Sequence, residues 1–126
     1  MVTEKGVHVL VVEDEPLAAG QMARYLEAKG YRASTVGDGL AGLRVHRKDP
    51  ADIVITDLRM PHLDGYEFIR ELRRDNPDLP IIVVTGHMRM EGGEEERTGA
   101  AVVLKKPINL RELAQTVERM LKKTRP

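Results

Sequence analysis

The stretches VVEDEP at residues 11–16 and IVITDLRMP at residues 53–61 share one layout: a run of mostly β-branched apolar residues that ends on carboxylates. Continuous runs of this kind mark strands buried on both faces, and ionised acids are costly to bury. Each stretch therefore predicts a core strand whose far end carries acids that something must hold. Working outward, Val7–Val12 and Ile53–Thr56 have counterparts in Ile81–Thr85 and Ala101–Leu104, and YRASTV at 31–36 alternates weakly as a further strand.

Helical patterns fill the gaps. Pro16 suits a first helical turn, Ala18, Met22, Tyr25 and Leu26 recur at helical spacing, and Gly30 supplies a stop. Asp38 reads as the N-cap of a helix that carries Leu40, Leu43 and Val45 and ends near Asp49-Pro50. Asp64-Gly65 opens a helix with Phe68, Ile69 and Leu72 inward, which NPDLP at 76–80 breaks. Asn109 with Glu112 is a capping-box-like start for the stripe Leu110, Leu113, Ala114, Val117, Met120 and Leu121. Short buried-type runs alternating with helices predict repeated βα units, hence a doubly wound five-stranded parallel sheet with helices on both faces. No repeat, low-complexity tract or composition shift marks a second domain. Residues 1–126 read as a single domain, with about 5–122 as folded core and 123–126 as a tail or linker start.

Composition narrows the function. Lys plus Arg (20) and Asp plus Glu (20) cancel, so no global field draws nucleic acid or an anionic membrane to this segment. The chain has no cysteine, which excludes a disulfide framework, a thiolate metal site and a cysteine nucleophile. MVTEKGVHVLVV lacks the h-region of a signal peptide, and no apolar run approaches the roughly 18 residues of a spanning helix, so a soluble, cytoplasmic setting is expected.

In open parallel sheets the functional crevice lies beyond the carboxyl ends of the strands. Glu13 and Asp14 follow the first strand and Asp57 ends the third, so three carboxylates meet if those strands are neighbours. Such acids repel one another, and Mg²⁺, which takes carboxylate, water and phosphate oxygens, resolves the repulsion. Thr85 at the end of the fourth strand offers a hydroxyl, and Lys106 after the fifth offers a compact cation suited to phosphate. Carboxylate nucleophile, metal, hydroxyl and lysine are the parts needed to accept a phosphoryl group.

At these residues the chain resembles the receiver domain of two-component response regulators, a flavodoxin-like fold, over essentially its whole length. The matching pieces are VVEDEP, ITDLRMPHLDG, IIVVTG and GAAVVLKKPI, four in order, each at a strand end. The resemblance implies phosphorylation of Asp57 by a histidine kinase or histidine phosphotransfer domain, a conformational switch that controls an output domain or partner, and autodephosphorylation. The receiver is thus a regulatory phosphoacceptor and not a conventional enzyme. It also implies Mg²⁺ held by Glu13, Asp14, Asp57 and the Arg59 backbone carbonyl, with Thr85 as the switch residue and Lys106, the one next to Pro107, as the lysine of the motif. Gly86 leaves room for the phosphoryl group, and His87 and Arg59 occupy positions that influence acyl-phosphate lifetime in the family.

Two features depart from that pattern. Val103 stands where an aromatic switch residue is frequent, and HMRMEGGEEERTG at 87–99 is poor helix material, so the fourth helix is expected to be short or irregular, starting near Glu94. A degenerate receiver acting as a phosphorylation-independent interaction module is the alternative, although such domains normally lack an acid or the lysine. An aspartate-nucleophile hydrolase of the haloacid dehalogenase type would want an acid at position 59, and a flavin or dinucleotide binder would want glycines after the first strand. His8, His46 and His62 show no ligand spacing, and Glu15 reads as a first-turn acid complementing the helix dipole.

Overall fold

A computed structural model of the chain describes residues 6–58, 62–63, 65–86 and 102–124. Along these the elements run β1 (His8–Val12), α1 (Pro16–Ala28), β2 (Arg32–Val36), α2 (Gly39–Lys48), β3 (Ile53–Asp57), α3 (Gly65–Asp75), β4 (Ile81–Thr85), β5 (Val102–Lys105) and α4 (Leu110–Thr124). The strands form one parallel sheet in the order β2-β1-β3-β4-β5. The fold is the doubly wound sheet expected from the sequence. The expected short fourth helix, at 87–99, lies outside the described residues.

Period-two alternation divides the central strands between two cores. Val9, Val11, Ile53, Ile55, Ile82 and Val84 face α1 and α4, where Met22, Leu26, Leu113 and Val117 cover them. Leu10, Val12, Val54, Ile81 and Val83 face the opposite way, against Leu43, Phe68, Ile69 and Leu72. Every residue of β1, β3 and β4 is buried, which is why these strands read as unbroken apolar runs, whereas edge strand β2 reads weakly because it is only partly covered.

The helix faces differ in detail from the apolar stripes of the sequence. In α1 the buried residues are Ala19, Met22, Ala23 and Leu26, and in α2 they are Gly39, Gly42, Leu43 and His46, with Leu40 44% exposed. Close packing explains the shift. A side-chain carbon at Gly42 would come within 3.0 Å of the Phe68 ring and 3.2 Å of Val12, so only a glycine admits α2 this near the sheet. His46 is tied inward, bonding Asn76 Oδ1 at 2.9 Å and accepting the Ala51 N–H at 3.0 Å. His8 is likewise a satisfied core histidine, with Ser34 Oγ at 2.8 Å and the Pro50 carbonyl at 3.1 Å.

The capping residues were partly legible. Asp38 caps α2 through the Ala41 N–H at 2.8 Å, and Asn109 accepts the Glu112 N–H at 2.9 Å. At α1 the cap is Glu15, which accepts from the Leu17 and Ala18 N–H groups at 3.0 and 3.3 Å. Glu15 is therefore more than a first-turn acid, and the cap leaves Asp14 to the acid cluster.

Candidate functional site

The strand order changes direction between β1 and β3, and the crevice opens where these two strands end. Register places Val12 opposite Thr56, so the next residues, Glu13 and Asp57, emerge side by side. One carboxylate oxygen each from Glu13, Asp14 and Asp57 lie within 4.8 Å of one another. Glu13 and Asp57 are buried, 3% and 7% exposed, while Asp14 faces solvent. An all-oxygen donor set with one open side fits a hard divalent cation that keeps part of its water shell. The three acids predicted from the ends of two strands are thus brought together.

Lys106 joins them from β5. Its Nζ donates to Asp57 Oδ2 at 2.7 Å and lies 3.2 Å from Glu13 Oε1. Its own N–H donates to the Thr85 carbonyl at 2.9 Å, which fixes the residue at the strand end, and a cis bond links it to Pro107. Neighbouring Lys105 pairs in register with Thr85 on an exposed position, so Lys106 and not Lys105 enters the crevice, as the motif implied. Thr85 is 2% exposed at the end of β4. Beside it, a side-chain carbon at Gly86 would meet no atom of the described residues within 4 Å.

The electrostatics follow from burial and from this one cation. Burial pushes the Glu13 carboxyl above its ordinary value and the Asp57 charge adds to that, while the Glu15 N–H and the Lys106 ammonium pull it down. For Lys106 burial is the largest single influence and favours the neutral amine. The hydrogen bonds and attraction of Asp57 and Glu13 together outweigh it, and its pKa is raised. The lysine therefore stands as a charged counter-ion in front of two buried acids.

Asp57 itself is held from both sides of its chain. Its Oδ1 accepts the Leu58 N–H at 2.6 Å, and the Gly65 N–H returns to the Leu58 carbonyl at 2.9 Å. A side-chain carbon at Gly65 would stand 2.5 Å from both the Asp57 carbonyl oxygen and the Leu58 Cα, so glycine is required where α3 begins. Arg59, whose carbonyl was expected at the metal, lies outside the described residues, as do His87, Met88 and Met90. Val103 is half-buried in the core on the α2–α3 side, an aliphatic residue in the position read as lacking the aromatic lever. The sequence reading missed the contact of His62 with Asp38, which joins the loop after β3 to the start of α2.

No helix among the described residues is long and apolar enough to cross a membrane. Residues 9–118 match the response regulator receiver domain family. The transcriptional regulatory protein GlrR of Escherichia coli is 30% identical over 98% of this chain and 28% of its own length. Sensor histidine kinase RcsC of Salmonella typhi is 36% identical over 86% of this chain and 12% of its own length. The chain thus spans well under half of either relative. Among solved structures, the receiver domain of a Pseudomonas aeruginosa sensor histidine kinase, with a magnesium ion coordinated in its active-site cleft, superposes with a TM-score of 0.83. That domain is 31% identical, and the alignment covers 93% of this chain and 98% of that one. Fold, strand order and a match running from the first strand into the last helix agree: the chain belongs to the receiver domains of two-component response regulators.

Proposed function

We propose that this receiver accepts a phosphoryl group on Asp57 from a phosphohistidine donor, in a reaction that depends on Mg²⁺. The observation that carries the reading is the convergence of Glu13, Asp14 and Asp57 within 4.8 Å with Lys106 Nζ 2.7 Å from Asp57. Degenerate receivers normally lack an acid or the lysine, and this chain has all four groups. Glu13, Asp14 and Asp57 supply the carboxylate ligands, and the Arg59 carbonyl is proposed as a further one. When bound, Mg²⁺ supplies positive charge to the equatorial oxygens of the transferred group.

The remaining steps belong to the chain. An Asp57 carboxylate oxygen attacks phosphorus, the P–N bond to the donor histidine breaks, and the electron pair of that bond leaves on the imidazole nitrogen. Lys106 moves its charge from the carboxylate to the new acyl phosphate, and the Thr85 hydroxyl, beside Gly86, hydrogen-bonds a phosphoryl oxygen. Hydrolysis of the acyl phosphate resets the domain. The donor is a histidine kinase or a histidine phosphotransfer domain, and the phosphorylated face governs an output domain or partner protein, in the cytoplasm. Residues 1–126 act as one receiver unit, without direct contact to nucleic acid.

Transfer of radiolabelled phosphate from a phosphorylated histidine phosphotransfer domain to the intact chain, and not to Asp57→Asn, tests this function. Equal labelling of both proteins would defeat it.

A further inference from the structure

Residues 62–63, between β3 and α3, are tied to the start of α2. His62 Nδ1 lies 3.0 Å from Asp38 Oδ2, across 24 residues of sequence. An ionised carboxylate only accepts, so the imidazole Nδ1 carries the proton and donates it. The other oxygen of the same carboxylate, Oδ1, accepts the Ala41 N–H at 2.8 Å, so Asp38 caps α2 and holds His62 at once.

His62 is in an unusual state for such a residue. Its φ is 71°, in the left-handed region, and among the described residues no other non-glycine has a positive φ. That conformation costs on the order of 1 kcal/mol for a residue with a Cβ. Its side chain is 64% exposed, so burial does not offset the strain, and among the described residues the bond to Asp38 is its side-chain hydrogen bond. Around it the packing is close. A side-chain carbon at Gly39 would come within 3.0 Å of the Leu63 carbonyl oxygen and 3.1 Å of Phe68 Cβ, so the first residue of α2 lies directly on the loop. The Ala41 N–H, then His62 and the charge of Arg44, hold the Asp38 carboxyl below its ordinary value against the cost of burial, which keeps it ionised for the pairing.

We propose that His62 is a positioning residue for phosphoryl uptake: by pairing with Asp38 it anchors residues 62–63 against the start of α2, steadies Asp57 through Gly65 and Leu58, and so sets the affinity of the acidic cluster for its cation. Four contacts lie along this path. Asp38 holds His62, Leu63 rests on Gly39, the Gly65 N–H holds the Leu58 carbonyl, and the Leu58 N–H holds Asp57 Oδ1. Mg²⁺ demands near-ideal octahedral geometry, so a loosened Asp57 carboxylate loses affinity before it loses fold. This inference rests on the reading of Glu13, Asp14 and Asp57 as a Mg²⁺ site.

The test is Mg²⁺ binding to the intact chain by calorimetric titration, with thermal unfolding in parallel, for three single variants and one double. His62→Gly relieves the backbone strain and removes the pair; Asp38→Ser retains a good N-cap and removes the carboxylate; His62→Asn tolerates the left-handed backbone and retains an N–H donor. His62→Gly and Asp38→Ser should each weaken Mg²⁺ binding about 10-fold, in the range seen when outer partners of metal ligands are removed. The double variant should be no weaker than either single, His62→Asn should recover most of the affinity, and metal-free His62→Gly should melt no lower than the parent. Parent-like affinity in both single variants, or losses that add in the double, would overturn the proposal while leaving the metal site intact. Failure of the parent itself to bind Mg²⁺ would overturn the metal site and this inference with it.

Discussion

Lys106 Nζ donates to Asp57 Oδ2 at 2.7 Å across 49 residues of sequence, and this one bond joins the end of β3 to the end of β5. The same ammonium sits 3.2 Å from Glu13, so one partly exposed cation offsets part of the charge of two carboxylates that are almost wholly buried. The metal-free domain therefore depends on the lysine for a charge balance that Mg²⁺ can also provide.

Lys106→Ala should destabilise the metal-free domain by about 1–2 kcal/mol, the cost of leaving charged hydrogen-bond partners unmatched, reduced because the lysine is a third exposed. Saturating Mg²⁺ should restore most of that loss, since the cation takes over the neutralisation. Denaturant unfolding with and without Mg²⁺ measures both. An equal deficit in the two conditions would show that Lys106 and the cation do not share the same acids.

Asp14→Ala and Glu15→Ala should separate function from folding. Asp14 is an exposed member of the acid cluster and caps nothing, so its loss should weaken Mg²⁺ binding strongly and change stability by less than about 0.5 kcal/mol. Glu15 caps α1, so its loss should cost about 1 kcal/mol of stability and leave Mg²⁺ affinity near that of the parent. Titration and unfolding of the two variants give the comparison, and the reverse ranking would mean that the turn after β1 presents the wrong acid.

Gly65→Ala and Gly86→Ala should behave oppositely. The added carbon at Gly65 meets backbone atoms of Asp57 and Leu58 at 2.5 Å, so the start of α3 must shift, at a cost of about 1–3 kcal/mol and with loss of phosphoryl uptake. At Gly86 the carbon meets no atom of the described residues within 4 Å, so the fold should stay near parental stability while the space beside Thr85 shrinks. Thermal unfolding separates the two, and a stable Gly65→Ala would contradict the close approach.

Asp38→Asn isolates the charge of the α2 cap, because asparagine caps about as well as aspartate. The Ala41 N–H, followed by His62 and Arg44, lowers the folded-state pKa of Asp38. A lowered carboxylate contributes stability that is fully present above its unfolded pKa and is lost as pH falls through the folded one. The stability advantage of the parent over Asp38→Asn should therefore be constant near neutrality and shrink below about pH 4. A difference that stays constant down to acid unfolding would show that the charge plays no part.

Much of this was legible in the sequence because parallel strands buried on both faces leave continuous apolar runs, and β1, β3 and β4 are such strands. The acids were legible for the same reason, as carboxylates ending those runs. The inward faces of α1 and α2 were less so. Hydrophobic patterning favours large residues such as Tyr25 and Leu40, whereas the buried faces also hold Ala19, Ala23, Gly39 and Gly42, whose virtue is small volume. Glu15 was misjudged because capping depends on the turn after β1, in which Glu13 Oε2 accepts the Glu15 N–H at 3.1 Å. The pairing of His62 with Asp38 joins two loops by tertiary proximity alone, and no local pattern announces it.

The central claim is that Asp57 is a metal-dependent phosphoacceptor, and the most direct measurement is the intact mass of the chain after incubation with a small acyl-phosphate donor. With Mg²⁺ the parent should gain one phosphoryl group, and Asp57→Asn, or the parent after chelation, should gain none. Equal labelling of Asp57→Asn, equal labelling without metal, or no labelling of the parent with Mg²⁺ would contradict the account.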